Sequence, residues 1–308
     1  MLRIYKQNGE LKELQGYERH CWINVTNPTD DEYDKLIKEY HVPKDFIDDI
    51  LDIDERSRSE VDGRWLMIII RIPVYVPKTD ISFYTVPLGV LISPNLMITI
   101  CTSESEIVND ILELKIKNFH IENKQNFVLH LFHSSSIYYN RFMKILIRRM
   151  NQIEKDIRKS VENSQLNILL KIQKCLVFFM TSLRSNELLL DKLQKAKYVN
   201  SSEIDEDLLE DLLIENKQAL EMSKIHSEIL TGMMDAFASV ISNNINVVMK
   251  RLTTITICVM IPSVYSGFFG MNVPNIFQEN PMAFAIIVIS SIFTVLAVVL
   301  LFKKIRWF

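Results

Sequence analysis

Near the C-terminal end of the chain, Asn246, Met249, Thr253, Thr256, Met260, Ser263, Gly267 and Gly270 recur at alternating steps of three and four. On an α-helix that spacing puts them on one stripe, made of amide, thioether, hydroxyl and glycine groups without a charge. Two readings fit such a stripe. Small and weakly polar residues let helices pack closely in a membrane, and a ring of such stripes would offer a hydrated cation a pore wall of neutral oxygens. The residues of the stripe alone leave both open. Elsewhere, His130 and His133 have metal-compatible spacing on a helix, but a third and fourth ligand are missing from the pattern. No Gly-rich phosphate loop, nucleophile elbow or HExxH motif is present, so an enzyme reading has no candidate residues.

The elements that position the stripe follow from charge and hydropathy. The chain of 308 residues is 48% hydrophobic and 24% charged, a mixture that suggests two solvents for one chain. Met282 to Phe302 carries no charged residue, and at 1.5 Å per residue it reaches about 31 Å, the thickness of a hydrocarbon core. Leu252 to Phe269 is a second uncharged run, of 18 residues, extended by Gly270 to Val273. Two transmembrane helices are therefore expected, at about 251–272 and 282–302. Lys250 and Arg251 precede the first, Lys303, Lys304 and Arg306 follow the second, and the loop between holds only Glu279. The positive-inside rule then makes both termini cytoplasmic. Met1 to Glu10 is polar and no signal peptide is read there.

Residues 1–250 hold 31 basic and 37 acidic groups, a net charge of −6, which argues against a nucleic-acid partner. Cys21, Cys101, Cys175 and Cys258 have no paired spacing, and a reduced compartment without disulfides is the default. In the front third, β-branched and aromatic runs at 21–26, 65–75, 81–86, 88–92 and 96–101 read as strands of a mainly antiparallel sheet. Asn27-Pro28-Thr29 offers an N-cap before Asp30, Asp31 and Glu32, and a second short helix is read at Pro43 to Leu51. Between Pro94 and Pro262 there is no proline, and Gly232 is the one glycine. Long helices are expected there, at 126–160, 162–197 and 203–270. The division is an α/β domain at 1–125, a long-helix stalk at 126–250 and a membrane part at 251–308.

Gly270-Met271-Asn272 at the end of the first of two C-terminal spans resembles the signature of the CorA family of divalent-cation transporters. The resemblance extends to Lys250-Arg251, Pro262, the short loop and the tail Lys303-Lys304-Ile305-Arg306-Trp307-Phe308, and in the front domain to Trp22-Ile23-Asn24-Val25, Asp49-Ile50-Leu51-Asp52 and Arg56-Ser57-Arg58. It implies a funnel-shaped homopentamer in the cell membrane, whose first span lines a pore and whose second packs outside it. The stripe falls on the implied pore positions. Gly270, Met271 and Asn272 would then form the selectivity filter, with Asn246, Met249, Leu252, Thr253, Thr256, Met260 and Ser263 as pore lining and gate. Mg²⁺ sheds water reluctantly, so neutral oxygens of Asn272 and Gly270 would bond its water shell instead of stripping it. A glycine C-cap followed by asparagine is the other explanation of that pair. Met249 and Leu252 stand at the family's apolar constriction, and Met260 at a second. Pro262 lies ten residues before Asn272, where many relatives place it eleven before.

The same resemblance puts Asp211 at a position that faces Asp49 of a neighbouring subunit, where a regulatory Mg²⁺ bridges the two and holds the closed state; Asp235 is a further acidic match. Mg²⁺ is thus implied both as cargo and as regulator, with Co²⁺ and Ni²⁺ as further cargo. A CorA-like exporter of zinc or another transition metal is the alternative, and Met271 favours the magnesium branch. A membrane-anchored scaffold would need neither the stripe nor the acidic pair.

Overall fold

The structure, a computed structural model, describes residues 1–8, 10–77, 82–113, 121–157, 163–195, 205–271, 281–305 and 307. They form two compact units, Met1–Gly232 and Met233–Phe308.

The first unit opens with strands β1 (Leu2–Asn8), β2 (Glu10–Leu14) and β3 (Cys21–Thr26), followed by helices α1 (Asp30–Lys38) and α2 (Lys44–Leu51). Strands β4 (Arg58–Asp62), β5 (Trp65–Tyr75), β6 (Phe83–Ser93) and β7 (Leu96–Cys101) follow, then α3 (Glu106–Leu112) and the long helices α4 (Lys124–Ile157), α5 (Asn163–Lys195) and α6 (Glu206–Phe269). The strands make one sheet in the order β2-β1-β3-β7-β6-β5-β4. Only β3 and β7 pair in parallel, Cys21 opposite Leu96 through Thr26 opposite Cys101; the other neighbours are antiparallel.

Both faces of the central strands are covered, which is why β3 and β7 read as apolar runs instead of alternating ones. On one face Leu36, Phe46, Ile47 and Ile50 of α1 and α2 pack with Ile23, Val25, Ile69, Leu91, Ile98 and Ile100. The approach is close at Gly89, where a Cβ would fall 2.2 Å from Ile50 Cδ1. On the other face Trp22 meets Phe127 edge-on at 5.2 Å, and Tyr139 of α4 meets Phe179 of α5 at 5.1 Å. Thr29 caps α1 as expected: its hydroxyl accepts from the Glu32 N–H at 3.3 Å, and the Glu32 carboxylate accepts from the Thr29 N–H at 3.0 Å.

One expectation is corrected. The strands read at 81–86 and 88–92 are a single strand, β6, running through Pro87. Pro87 stands opposite Arg71, and β6 pairs with β7 only from Leu88 onward, so the missing N–H costs no ladder bond to β7. The Arg71 backbone turns instead to α5: its N–H donates to Asn186 Oδ1 at 3.0 Å and its carbonyl accepts from Asn186 Nδ2 at 2.9 Å. A buried side-chain amide thus takes the place of a neighbouring strand.

Among the described residues three helices are long and apolar enough to cross a membrane: α5, α6 and α7 (Ala283–Lys304). In α5, 39% of the most apolar window is buried within the chain, against 6% in α6 and in α7. Leu169, Ile172, Leu176, Phe179 and Leu183 fill the core of the first unit, so α5 has already spent its apolar face on protein. The second unit contains α7 and the part of α6 that follows Gly232. Its large apolar side chains, Val259, Phe284, Ile289 and Phe293 among them, are exposed.

Candidate functional site

The membrane part of α6 runs uninterrupted past Pro262, whose ring removes the N–H that the Cys258 carbonyl would otherwise accept. Helical bonding persists to the signature glycine, since the Gly270 N–H donates to the Ser266 carbonyl at 2.9 Å. Among the described glycines the left-handed conformation belongs to Gly63 and not to Gly270, so Gly270, which follows the last residue of α6, does not end the helix through a left-handed turn of its own. What glycine supplies at 270 is room, because a Cβ there would sit 3.0 Å from the Ser266 carbonyl oxygen. Asn272 lies outside the described residues.

Asn246, Met249, Leu252, Thr253, Thr256, Met260, Ser263, Gly267, Gly270 and Met271 are all exposed. The residues of α6 that lose exposure in this stretch, Thr254, Ile257, Cys258, Ile261 and Tyr265, occupy the other side of the helix. There the Tyr265 hydroxyl meets Thr294 Oγ1 of α7 at 3.1 Å, so that side faces α7. The stripe is therefore left uncovered by the second span. Two of its hydroxyls are oriented by the helix itself: Thr256 Oγ1 donates to the Leu252 carbonyl at 2.9 Å and Ser263 Oγ to the Val259 carbonyl at 3.2 Å. With the proton committed inward, each oxygen turns its lone pairs outward as an acceptor. At the end of the stripe away from Gly270, the Lys250 ammonium lies 5.6 Å above the Trp307 ring, which stacks on Phe302.

The first unit carries the acidic residues. Asp49, on α2, is ion-paired with Arg58, which also engages Glu55 at 3.0 Å and Glu60. Burial pushes the Asp49 carboxyl above its ordinary range, and Glu55 and Glu60 add to that against the opposing Arg58 charge. Asp211 is exposed on α6. The two carboxylates supply the hard oxygen donors that Mg²⁺ takes, and both reach solvent, so the donor set suits that ion; Asp49 would share its carboxylate with Arg58. Asp235 is exposed on the part of α6 in the second unit. His130 and His133 lie on α4, and no cluster of three metal-ligating side chains occurs among the described residues.

The front-domain landmarks have a structural explanation. Trp22 Nε1 donates to Thr99 Oγ1 at 2.8 Å, and Thr99 Oγ1 donates to Asn24 Oδ1 at 2.9 Å, which ties β3 to β7 through a fully buried polar chain. The Ser57 N–H donates to Ser185 Oγ at 2.9 Å and Ser57 Oγ to Asn186 Oδ1 at 2.6 Å, fastening the start of β4 to α5.

Residues 17–304 match the family model described as CorA-like Mg²⁺ transporter protein. The chain belongs to the CorA family. A CorA relative, the cobalt/magnesium transport protein CorA of Methanocaldococcus jannaschii, is 26% identical over 294 residues, which cover 94% of this chain and 92% of the relative. The complete structure of the CorA magnesium transporter from the same organism superposes with a TM-score of 0.81 at 24% identity, covering 100% of this chain and 99% of that one. The full-length CmaX protein matches with a TM-score of 0.69 at 16% identity over 99% of this chain and 97% of its own. Those two structures share the fold. CorA membership makes this chain a membrane-embedded divalent-cation transporter.

Sequence reading missed three features of the site region: the Tyr265–Thr294 contact, the Arg58 carboxylate cluster, and the Asn186 clamp. Each depends on a register between elements that no local spacing reveals.

Proposed function

We propose that this CorA-family chain is a homopentameric channel that admits Mg²⁺, and with it Co²⁺ and Ni²⁺, into the cytoplasm across the cell membrane, and that cytoplasmic Mg²⁺ closes it. The observation that carries this reading is the uncharged stripe of α6 on the side away from α7, with hydroxyl oxygens set as acceptors. A hydrated dication presents water protons outward. A wall of outward lone pairs receives those protons without stripping the shell, and without a fixed charge that would trap the ion. Five copies of the stripe around an axis would enclose the path. Gly270, Met271 and Asn272 stand at its outer mouth, and the apolar Met249 and Leu252 at its inner end act as a gate that closes by dewetting. Both termini face the cytoplasm, where Lys250, Arg251, Lys303 and Lys304 meet the lipid headgroups.

Regulation rests on Asp49 and Asp211 of adjacent subunits. Mg²⁺ between them stabilises the closed assembly by binding that state preferentially. The test is uptake by lipid vesicles containing only the purified protein, each ion offered in turn from outside. Entry of Mg²⁺ that falls as internal Mg²⁺ rises is the expected result. Transport of Zn²⁺ alone, outward from loaded vesicles, would replace this reading with an exporter.

A further inference from the structure

The outer part of the first span, from Pro262 to Gly270, has lost one of the bonds that stiffen a helix. Pro262 cannot donate to the Cys258 carbonyl, so the two halves of the span are joined more loosely there. A cavity of ≈ 240 Å³ adjoins the site, lined by Ile257, Met260, Ile261, Val264, Tyr265 and Thr294, and leaves space for the outer segment to tilt. Across this loosened region a polar contact links the spans: the Tyr265 hydroxyl and Thr294 Oγ1 are 3.1 Å apart. Its direction is determined, because the Thr294 hydroxyl proton is spent on the Ser290 carbonyl at 2.9 Å. Tyr265 is therefore the donor and Thr294 the acceptor.

We infer that Tyr265 and Thr294 are positioning residues for the ion path: their hydrogen bond fixes the segment beyond Pro262 against α7, and so sets where Gly270 and Met271 stand. Neither is on the stripe, and neither touches the path. The contact is half-buried between two helices that expose apolar side chains to lipid, where water does not compete for the donor. Breaking it leaves the spans assembled but lets the outer segment tilt into the cavity. This inference rests on the transport reading for its effect on ions, but its structural half is independent of that reading.

The test uses the full-length protein in lipid vesicles, with Tyr265→Phe, Thr294→Val, Thr294→Ser and the double variant Tyr265→Phe/Thr294→Val. Two quantities are read: amide hydrogen exchange of the segment 262–271, and the ratio of Mg²⁺ to Na⁺ uptake. Tyr265→Phe and Thr294→Val should each accelerate exchange and lower the ratio by about threefold, the size that intramembrane side-chain hydrogen bonds reach on average. Thr294→Ser keeps the acceptor and should match wild type. The double variant should be no worse than either single one, as for two halves of one interaction. Faster exchange in a protein that carries no ion would uphold the positioning role and defeat the transport reading. Unchanged exchange in Tyr265→Phe, additive losses in the double variant, or a Thr294→Ser protein as loose as Thr294→Val would overturn the inference.

Discussion

The two units use the same kinds of side chain in opposite ways. In the first, Ile68, Ile69, Ile70 and Ile72 of β5 are fully buried, and polar groups inside it are matched in chains such as Trp22–Thr99–Asn24. In the second, Ile255, Ile289 and Ile292 are more than half exposed, and hydroxyls such as those of Thr254, Thr256 and Ser263 bond their own helix. Water drives apolar groups inward in one unit, while lipid removes that drive in the other and leaves backbone satisfaction and close contact as the organising demands. Stability therefore concentrates in the first unit. The stripe of the second unit is a surface that is polar for its surroundings.

The sharpest break of that comparison removes a polar group from the second unit with no cost to the first. Asn272→Ala should reduce selective Mg²⁺ uptake by more than about tenfold, the loss that 1.4 kcal/mol of filter stabilisation would produce, while oligomer size on gel filtration is unchanged. Wild-type uptake by the assembled variant would remove Asn272 from the filter. Met249→Ser should do the reverse at the other end of the stripe and raise basal flux severalfold, because a polar constriction no longer dewets. Equal flux in vesicles would take Met249 out of the gate.

In the first unit the corresponding polar deletion should cost folding instead of transport. Asn186 is buried and exchanges two hydrogen bonds with the Arg71 backbone while accepting a third from Ser57. Asn186→Ala should destabilise the first unit by about 2–4 kcal/mol, moderated because Tyr139 also donates to the Arg71 carbonyl at 3.1 Å. Chemical denaturation followed by near-ultraviolet circular dichroism measures it, and a wild-type midpoint would show that the clamp is dispensable.

The parts of this design that the sequence discloses are those with local periodicity. The uncharged runs, the stripe from Asn246 to Gly270, and the long helices between Pro94 and Pro262 each repeat a signal over many residues. Strand β1 and the edge strands β2 and β4 were not legible, since stretches such as Glu10–Leu14 and Arg58–Asp62 are largely polar and pack little. Pro87 looked like a strand break because proline lacks an N–H, and only the register of β7, which pairs with β6 from Leu88 onward, shows that no ladder bond to it is lost. Hydropathy alone would promote α5 to a span, and only its packing demotes it. At the candidate site, composition disclosed the stripe and the acids, but Arg58 on Asp49 and Tyr265 on Thr294 required the fold.

A smaller effect is expected where a charge, not a buried bond, is removed from the first unit. Asp49→Asn with Asp211→Asn should leave the Mg²⁺-free protein folded, because Arg58 keeps Glu55 and Glu60 as partners. Protection of the first unit from protease by added Mg²⁺ should weaken, and inhibition of flux by Mg²⁺ on its side of the membrane should flatten. Full wild-type protection in the double variant would mean that both are ordinary solvated acids.

The smallest effect concerns acid and separates the units once more. Every histidine of the chain precedes residue 233. Burial holds the His130 imidazole below its ordinary pKa, the neighbouring His133 adds to that, and Asp205 opposes it. Burial alone lowers His226, whose Nδ1 is buried without a hydrogen-bond partner. For a histidine whose folded pKa is depressed, the unfolded chain binds more protons in the window between the two values. Stability then falls as pH drops through the ordinary histidine value of about 6.5 toward the lowered one, and levels off below it. The first unit should therefore melt at lower temperature at about pH 5.5 than at about pH 7.5. His130→Gln with His226→Gln should flatten that slope. The helices of the second unit, with no histidine to charge, should keep their far-ultraviolet signal over the same range in vesicles. An unchanged slope in the double variant would show that His130 and His226 do not carry the acid sensitivity.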